Sequence, residues 1–81
     1  MQQNVYDQVE AIAINLETAG FSLRARTLRD AIAAGATGGE IQMALRFHLQ
    51  AILREELSVP EEMKQSIRGL VATLNVSLGD E

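Results

Sequence analysis

Cysteine is absent, which removes disulfides and thiolate metal sites, the usual reinforcement of small secreted domains, and fits a reducing compartment. Aromatic residues are nearly absent too: Tyr6, Phe21 and Phe47 are all there are. A chain that is 47% hydrophobic must then build its core from Leu, Ile, Val, Met and Ala, a composition that favours helices over sheet. No apolar run approaches the ~18 residues of a membrane span, and the opening Met1-Gln2-Gln3-Asn4 lacks the basic stretch of a signal peptide. The expectation is a cytoplasmic protein with no membrane contact. Pro60 is the single proline and His48 the single histidine, so helices can run uninterrupted and imidazole chemistry has one address.

What remains is patterned at helical spacing. A first helix is expected from about Asn4 to Ala19, with Val5, Val9, Ile12 and Leu16 on one face, Asn4 as N-cap and Gly20 past the end. A second should start at Ser22, with Phe21 just before the cap, bury Ala25, Leu28, Ala31 and Ile32, and stop at Gly35. The third has the clearest start signal: Thr37-Gly38-Gly39-Glu40 fits a capping box, and Ala36 with Ile41 would make a small staple. Its main face is Ile41, Leu45, His48, Leu49 and Ile52, while Met43, Phe47, Leu53 and Leu57 fall outside it, the pattern of a helix with several neighbours.

Ser58-Val59-Pro60-Glu61-Glu62 reads as a tight turn into a fourth helix, with proline and acids in its first turn. Met63, Ile67, Leu70, Val71, Leu74 and Leu78 should face inward and pair this helix antiparallel with the third. Gly69, mid-helix, would either allow a close helix crossing or be incidental. The longest loop is expected between Gly35 and Gly39. The 81 residues thus predict one all-α domain, a compact four-helix bundle with a C-terminal helical hairpin.

Catalytic constellations are hard to assemble from these residues. His48 sits on an apolar helix face, where a packed histidine is the ordinary outcome, and no second histidine or cysteine completes a metal ligand set. The pairs Glu55-Glu56 and Glu61-Glu62 diverge by about 100° on a helix and already serve as helix-end charges. Gly35-Ala36-Thr37-Gly38-Gly39 opens a helix, but no strand precedes it and no lysine follows, unlike a phosphate-cradling loop. The expectation is a non-enzymatic protein with no cofactor, no metal and no catalytic residues.

Charge is where the sequence points outward. Residues 1–21 carry Asp7, Glu10 and Glu17 without a base, and residues 22–54 carry five arginines against Asp30 and Glu40. From residue 55 six acids face only Lys64 and Arg68, within a net charge of -4. Such blocks suggest an electrostatically directed protein contact, with Glu55, Glu56, Glu61 and Glu62 as partner-binding residues for a basic surface. Two alternatives stand beside it. Ala31, Gly35 and Ile41 have the relative spacing of a DNA-binding helix-turn-helix with Arg46 on the reading helix, although Asp30 would occupy a position such a motif buries and the overall acidity opposes phosphate binding. Apolar residues outside the stripes, Tyr6, Ile14, Met43, Phe47 and Val76, suit a self-assembling structural unit, and a homodimer at micromolar concentration is expected.

The stretch from Leu28 to Leu78 also carries a resemblance. Ala44-Leu45-Arg46, a short loop into Val59-Pro60-Glu61-Glu62, then Ile67, Leu70 and Leu78-Gly79, resembles the small all-helical immunity proteins of bacterial toxin systems. That resemblance rests on a helix-loop-helix pattern with a proline-opened last helix and implies stoichiometric binding of a cognate toxin. An acidic inhibitor would suit a toxin with a basic nucleic-acid site.

Overall fold

A computed structural model of the chain describes residues 4–35 and 37–79. The expected staple between Ala36 and Ile41 lies outside these residues, as do Met1-Gln2-Gln3 at the start and Asp80 and Glu81 of the acidic end. Among the described residues there are four helices and no strand: α1 (Val5–Thr18), α2 (Ser22–Ala34), α3 (Gly38–Glu55) and α4 (Glu61–Ser77).

Local chemistry sets most of the boundaries. Asn4 caps α1, its side chain accepting from the Asp7 N–H at 2.9 Å, and Gly20 follows the helix at φ 94°, a left-handed conformation that only glycine adopts without a Cβ penalty. Thr37 caps α3 by accepting from the Glu40 N–H at 3.1 Å, and its hydroxyl donates to Glu40 Oε1. Two expectations need correction here. Phe21 itself occupies the cap position of α2 with no side-chain cap bond, its ring packed on the core, and Pro60 stands just before α4 rather than within its first turn. The α2–α3 connection is only residues 35–37, so the α3–α4 connection, residues 56–60, is the longer loop.

Each helix contacts its neighbours in a ring, α1 on α2, α2 on α3, α3 on α4 and α4 back on α1, and the two diagonal pairs do not touch. Side-chain bonds show alternating direction. Arg46 of α3 donates to Asn75 of α4 while Ser77 donates to Gln42, and Arg24 of α2 reaches Glu55 and Glu56 at the far end of α3. The centre is filled by Val9, Ile12, Ala13 and Leu16 from α1, Ala25 and Leu28 from α2, Leu45, Leu49 and Ile52 from α3, and Ile67, Leu70, Val71 and Leu74 from α4. Val59, in the loop, plugs one end at 3% exposure. No polar or charged side chain is buried among the described residues, so the core is held by apolar burial, worth ~25 cal/mol per Å².

Two glycines behave oppositely. A Cβ at Gly35 would overlap Cγ1 of Ile41, so the turn into α3 is tight because nothing larger fits. Gly69 faces open space, with no atom near where a Cβ would stand, and the close crossing it was expected to allow is not there. The α1–α4 seam runs beside it as a shallow hollow instead.

Candidate functional site

The turn between α1 and α2 and the loop between α3 and α4 meet at one end of the bundle. Arg24 links them: its Nη2 donates to Glu55 Oε1 and its Nε to Glu56 Oε2, both at 2.8 Å. The two side chains are largely sheltered here, Arg24 at 25% and Glu56 at 28% exposure. Donation to the two glutamates raises the Arg24 pKa, and the bond from Arg24 holds the Glu55 carboxyl below the usual glutamate value. Arg54 approaches the other Glu55 oxygen at 3.5 Å.

The four carboxylates singled out in the sequence do gather at this end, but they do not act as one negative patch. Glu55 and Glu56 are held by Arg24, and Glu61 is bonded by Arg68 at 2.9 Å, which lowers its pKa. Glu62 alone of the four has no ion-pair partner among the described residues; it borders a shallow hollow with Asn15, Thr18, Pro60 and Met63. Lys64 completes the set by donating to the Leu57 carbonyl at 3.3 Å. Three of the four acids are thus ion-paired, by Arg24, Arg54 and Arg68. Counting charge along the chain missed that α2 delivers an arginine to the end of α3.

The same pairing explains the acidic first helix. Arg29 of α2 lies between Glu10 and Glu17 of α1, reaching Glu10 Oε2 at 2.7 Å and Glu17 Oε2 at 2.8 Å. These bonds lower both glutamate pKa values and raise that of Arg29. Glu10 and Glu17 are two helical turns apart, so one arginine on the adjacent helix serves both.

The sequence reading passed over Leu23 and took Leu57 only as an apolar residue outside the main face of the third helix. Leu23 and Leu57 are 78% and 80% exposed, the most exposed of the large hydrophobic side chains among the described residues. Each is one residue from a member of the Arg24 clasp, Leu23 beside Arg24 and Leu57 beside Glu56, and Phe21, Leu23, Arg24 and Glu56 line a common hollow. The signal for Leu23 was available, since it stands about 200° from the buried Ala25 at 100° per residue.

Other candidate residues are placed elsewhere. His48 is half-buried on α3, its ring edge-on to Phe47 at 5.3 Å and 79°, and among the described residues no three metal-ligating side chains cluster. Ala31 and Ile41 are half-buried against the core, as a helix-turn-helix spacing requires, and Asp30 is exposed near Arg26 rather than buried. Arg46, however, is half-buried and turned to Asn75 on α4, and the outward face of α3 presents Met43 and Phe47, 51% and 62% exposed. That face offers no basic row to phosphates. No helix among the described residues is long and apolar enough to cross a membrane.

Comparison with protein-family models, curated proteins and solved structures finds no match.

Proposed function

We propose that the protein is a non-enzymatic protein-binding module that docks through the loop end of its bundle. The observation that carries this reading is that Leu23 and Leu57, almost fully exposed, each stand next in sequence to a member of a sheltered arginine–glutamate clasp. Burying a leucine side chain contributes ~1.5–3 kcal/mol, and apolar side chains rimmed by polar groups are the usual form of a recognition surface. Because the local charges largely cancel, binding depends on these apolar contacts more than on electrostatic steering, and Glu62 supplies the remaining negative charge toward a basic partner. The narrower reading, an immunity-type inhibitor of a bacterial toxin, rests on the sequence resemblance; its mark would be one-to-one binding that blocks the partner's activity.

The test compares the wild type with Leu23→Glu/Leu57→Glu. Each is immobilised over an extract of the native host, and the retained protein is purified and titrated calorimetrically. The expected result is a saturable partner that the double variant binds roughly a hundredfold more weakly, as loss of about 3 kcal/mol requires, while circular dichroism shows the variant folded. Equal binding by both, no saturable partner, or nanomolar binding of a defined DNA duplex by the wild type at physiological salt would each overturn the reading.

A further inference from the structure

The outward face of α3 carries a second, independent pattern. Glu40, Met43, Phe47, Gln50 and Arg54 are all exposed and follow one another at intervals of three, four, three and four residues. At 100° per residue they fall within an arc of about 80°, opposite the buried Leu45, Leu49 and Ile52. Alternating three-four spacing is the seam of a coiled coil, and α3, at 18 residues, is about 27 Å long at 1.5 Å per residue. The seam is apolar in its middle and oppositely charged at its ends.

Those end charges decide what the seam fits. In an antiparallel pair of α3 helices with Phe47 on the two-fold axis, Phe47 meets Phe47, Met43 and Gln50 come level with Ala51 and Ala44 of the second copy, and Glu40 meets Arg54, twice over by symmetry. In a parallel pair Glu40 would face Glu40 and Arg54 would face Arg54. Antiparallel helix dipoles add to the preference. Both charged groups have capacity to spare: Glu40 engages Thr37 through Oε1 only, and the sole ion pair of Arg54 among the described residues is its 3.5 Å contact to a Glu55 that Arg24 already holds at 2.8 Å. The edge-on contact with His48 orients the Phe47 ring at the middle of the seam. We infer that the outer face of α3 is a self-recognition surface, pairing antiparallel with α3 of a second copy of this chain about an axis through Phe47. Two heptads of seam make a small interface, so the dimer is weak, with Kd on the order of 10–100 µM.

Sedimentation equilibrium from roughly 1 µM to 1 mM reads the prediction directly. The wild type should rise from 8.8 kDa toward twice that mass. Phe47→Glu should stay monomeric with an unchanged urea midpoint, since the side chain is exposed. Glu40→Arg and Arg54→Glu should each weaken dimerisation roughly fivefold or more, because each turns two attractions into repulsions, and the combined Glu40→Arg/Arg54→Glu should restore it. A wild type that remains at 8.8 kDa throughout, or a Phe47→Glu variant that dimerises normally, overturns the proposal. So do single charge variants equal to the wild type, which is the parallel outcome, and a double variant as weak as the singles. Dimerisation lost in Leu23→Glu/Leu57→Glu but kept in Phe47→Glu would place the second copy on the loop end instead and equally reject this surface.

Discussion

Leu45 and Leu57 are the same residue type twelve positions apart, yet their truncation to alanine should differ by nearly an order of magnitude. Leu45 lies on the inner face of α3 with no exposed surface and belongs to the central cluster. Leu45→Ala removes three carbons from that cluster and leaves a void that neighbouring helices close only in part, a change that costs ~2–5 kcal/mol; about 3 kcal/mol is the working value. An 81-residue chain at ~0.05–0.15 kcal/mol per residue has a total stability of roughly 4–12 kcal/mol. The variant therefore loses a quarter or more of it, and Tm should fall by about 12–24 °C at ~4–8 °C per kcal/mol. Leu57 is 80% exposed, so Leu57→Ala should stay within ~0.5 kcal/mol of wild type. Urea unfolding followed by circular dichroism measures both. A Leu45→Ala cost under about 1 kcal/mol would refute the placement of Leu45 on the inner face of α3, and a Leu57→Ala cost above it would refute the exposed placement of Leu57 in the α3–α4 loop.

Thr37→Ala should destabilise the fold by ~1 kcal/mol, the usual loss for a capping residue, with Thr37→Ser close to wild type in the same urea titration. Gly35→Ala should cost ~1–3 kcal/mol because its Cβ overlaps Ile41. By contrast Gly69→Ala, in open space within α4, should stabilise by ~0.5–1 kcal/mol; opposite signs in thermal melts are the check. Glu10, Glu17, Glu55 and Glu61 all have lowered pKa values in the fold, so their contribution is present above the unfolded glutamate value of about 4.3 and is lost as pH falls through the folded values. Tm should accordingly be flat from neutral pH to about 5 and fall below it. In Arg29→Met, which releases Glu10 and Glu17, the acid limb should be shallower; an identical limb would show that the Arg29 bonds do not contribute.

The helices were legible because their signals are local. Asn4, Thr37 and the apolar stripe of α1 determine structure through residues three or four positions away, and each does in the fold what its neighbours dictate. Less legible was everything that depends on which helix lies beside which. Val59 looked like a turn residue and is a buried plug, because the α3–α4 loop folds over the open end of the core. Gly69 looked like a packing contact and faces open space, since the nearest helix crosses elsewhere on α4. The loop end follows the same division: its carboxylates could be counted from the sequence, but the arginine that occupies two of them comes from thirty-one and thirty-two residues away.

The block arrangement of charge acquires a different meaning from that distance. An acidic first segment, a basic middle and an acidic end look like a surface prepared for another molecule, yet in the ring of antiparallel helices the arginines of α2 lie against acids of α1 and of the α3 end. Arg29 joins α2 to α1, and Arg24 joins α2 to the end of α3. Exposed pairs of this kind add little stability singly, but a reversed or shifted helix order would set like charges together, so they select this arrangement over its alternatives. With most of these charges paired inside the fold, the large apolar side chains left exposed include Leu23 and Leu57 at the loop end and Met43 with Phe47 on the outer face of α3. These are separate surfaces, one at the α3–α4 loop and one beginning at the opposite end of α3. On the two proposals a single copy can hold a partner at the loop end while its α3 pairs with a second copy, so Leu57→Glu should weaken only the first association and Phe47→Glu abolish only the second.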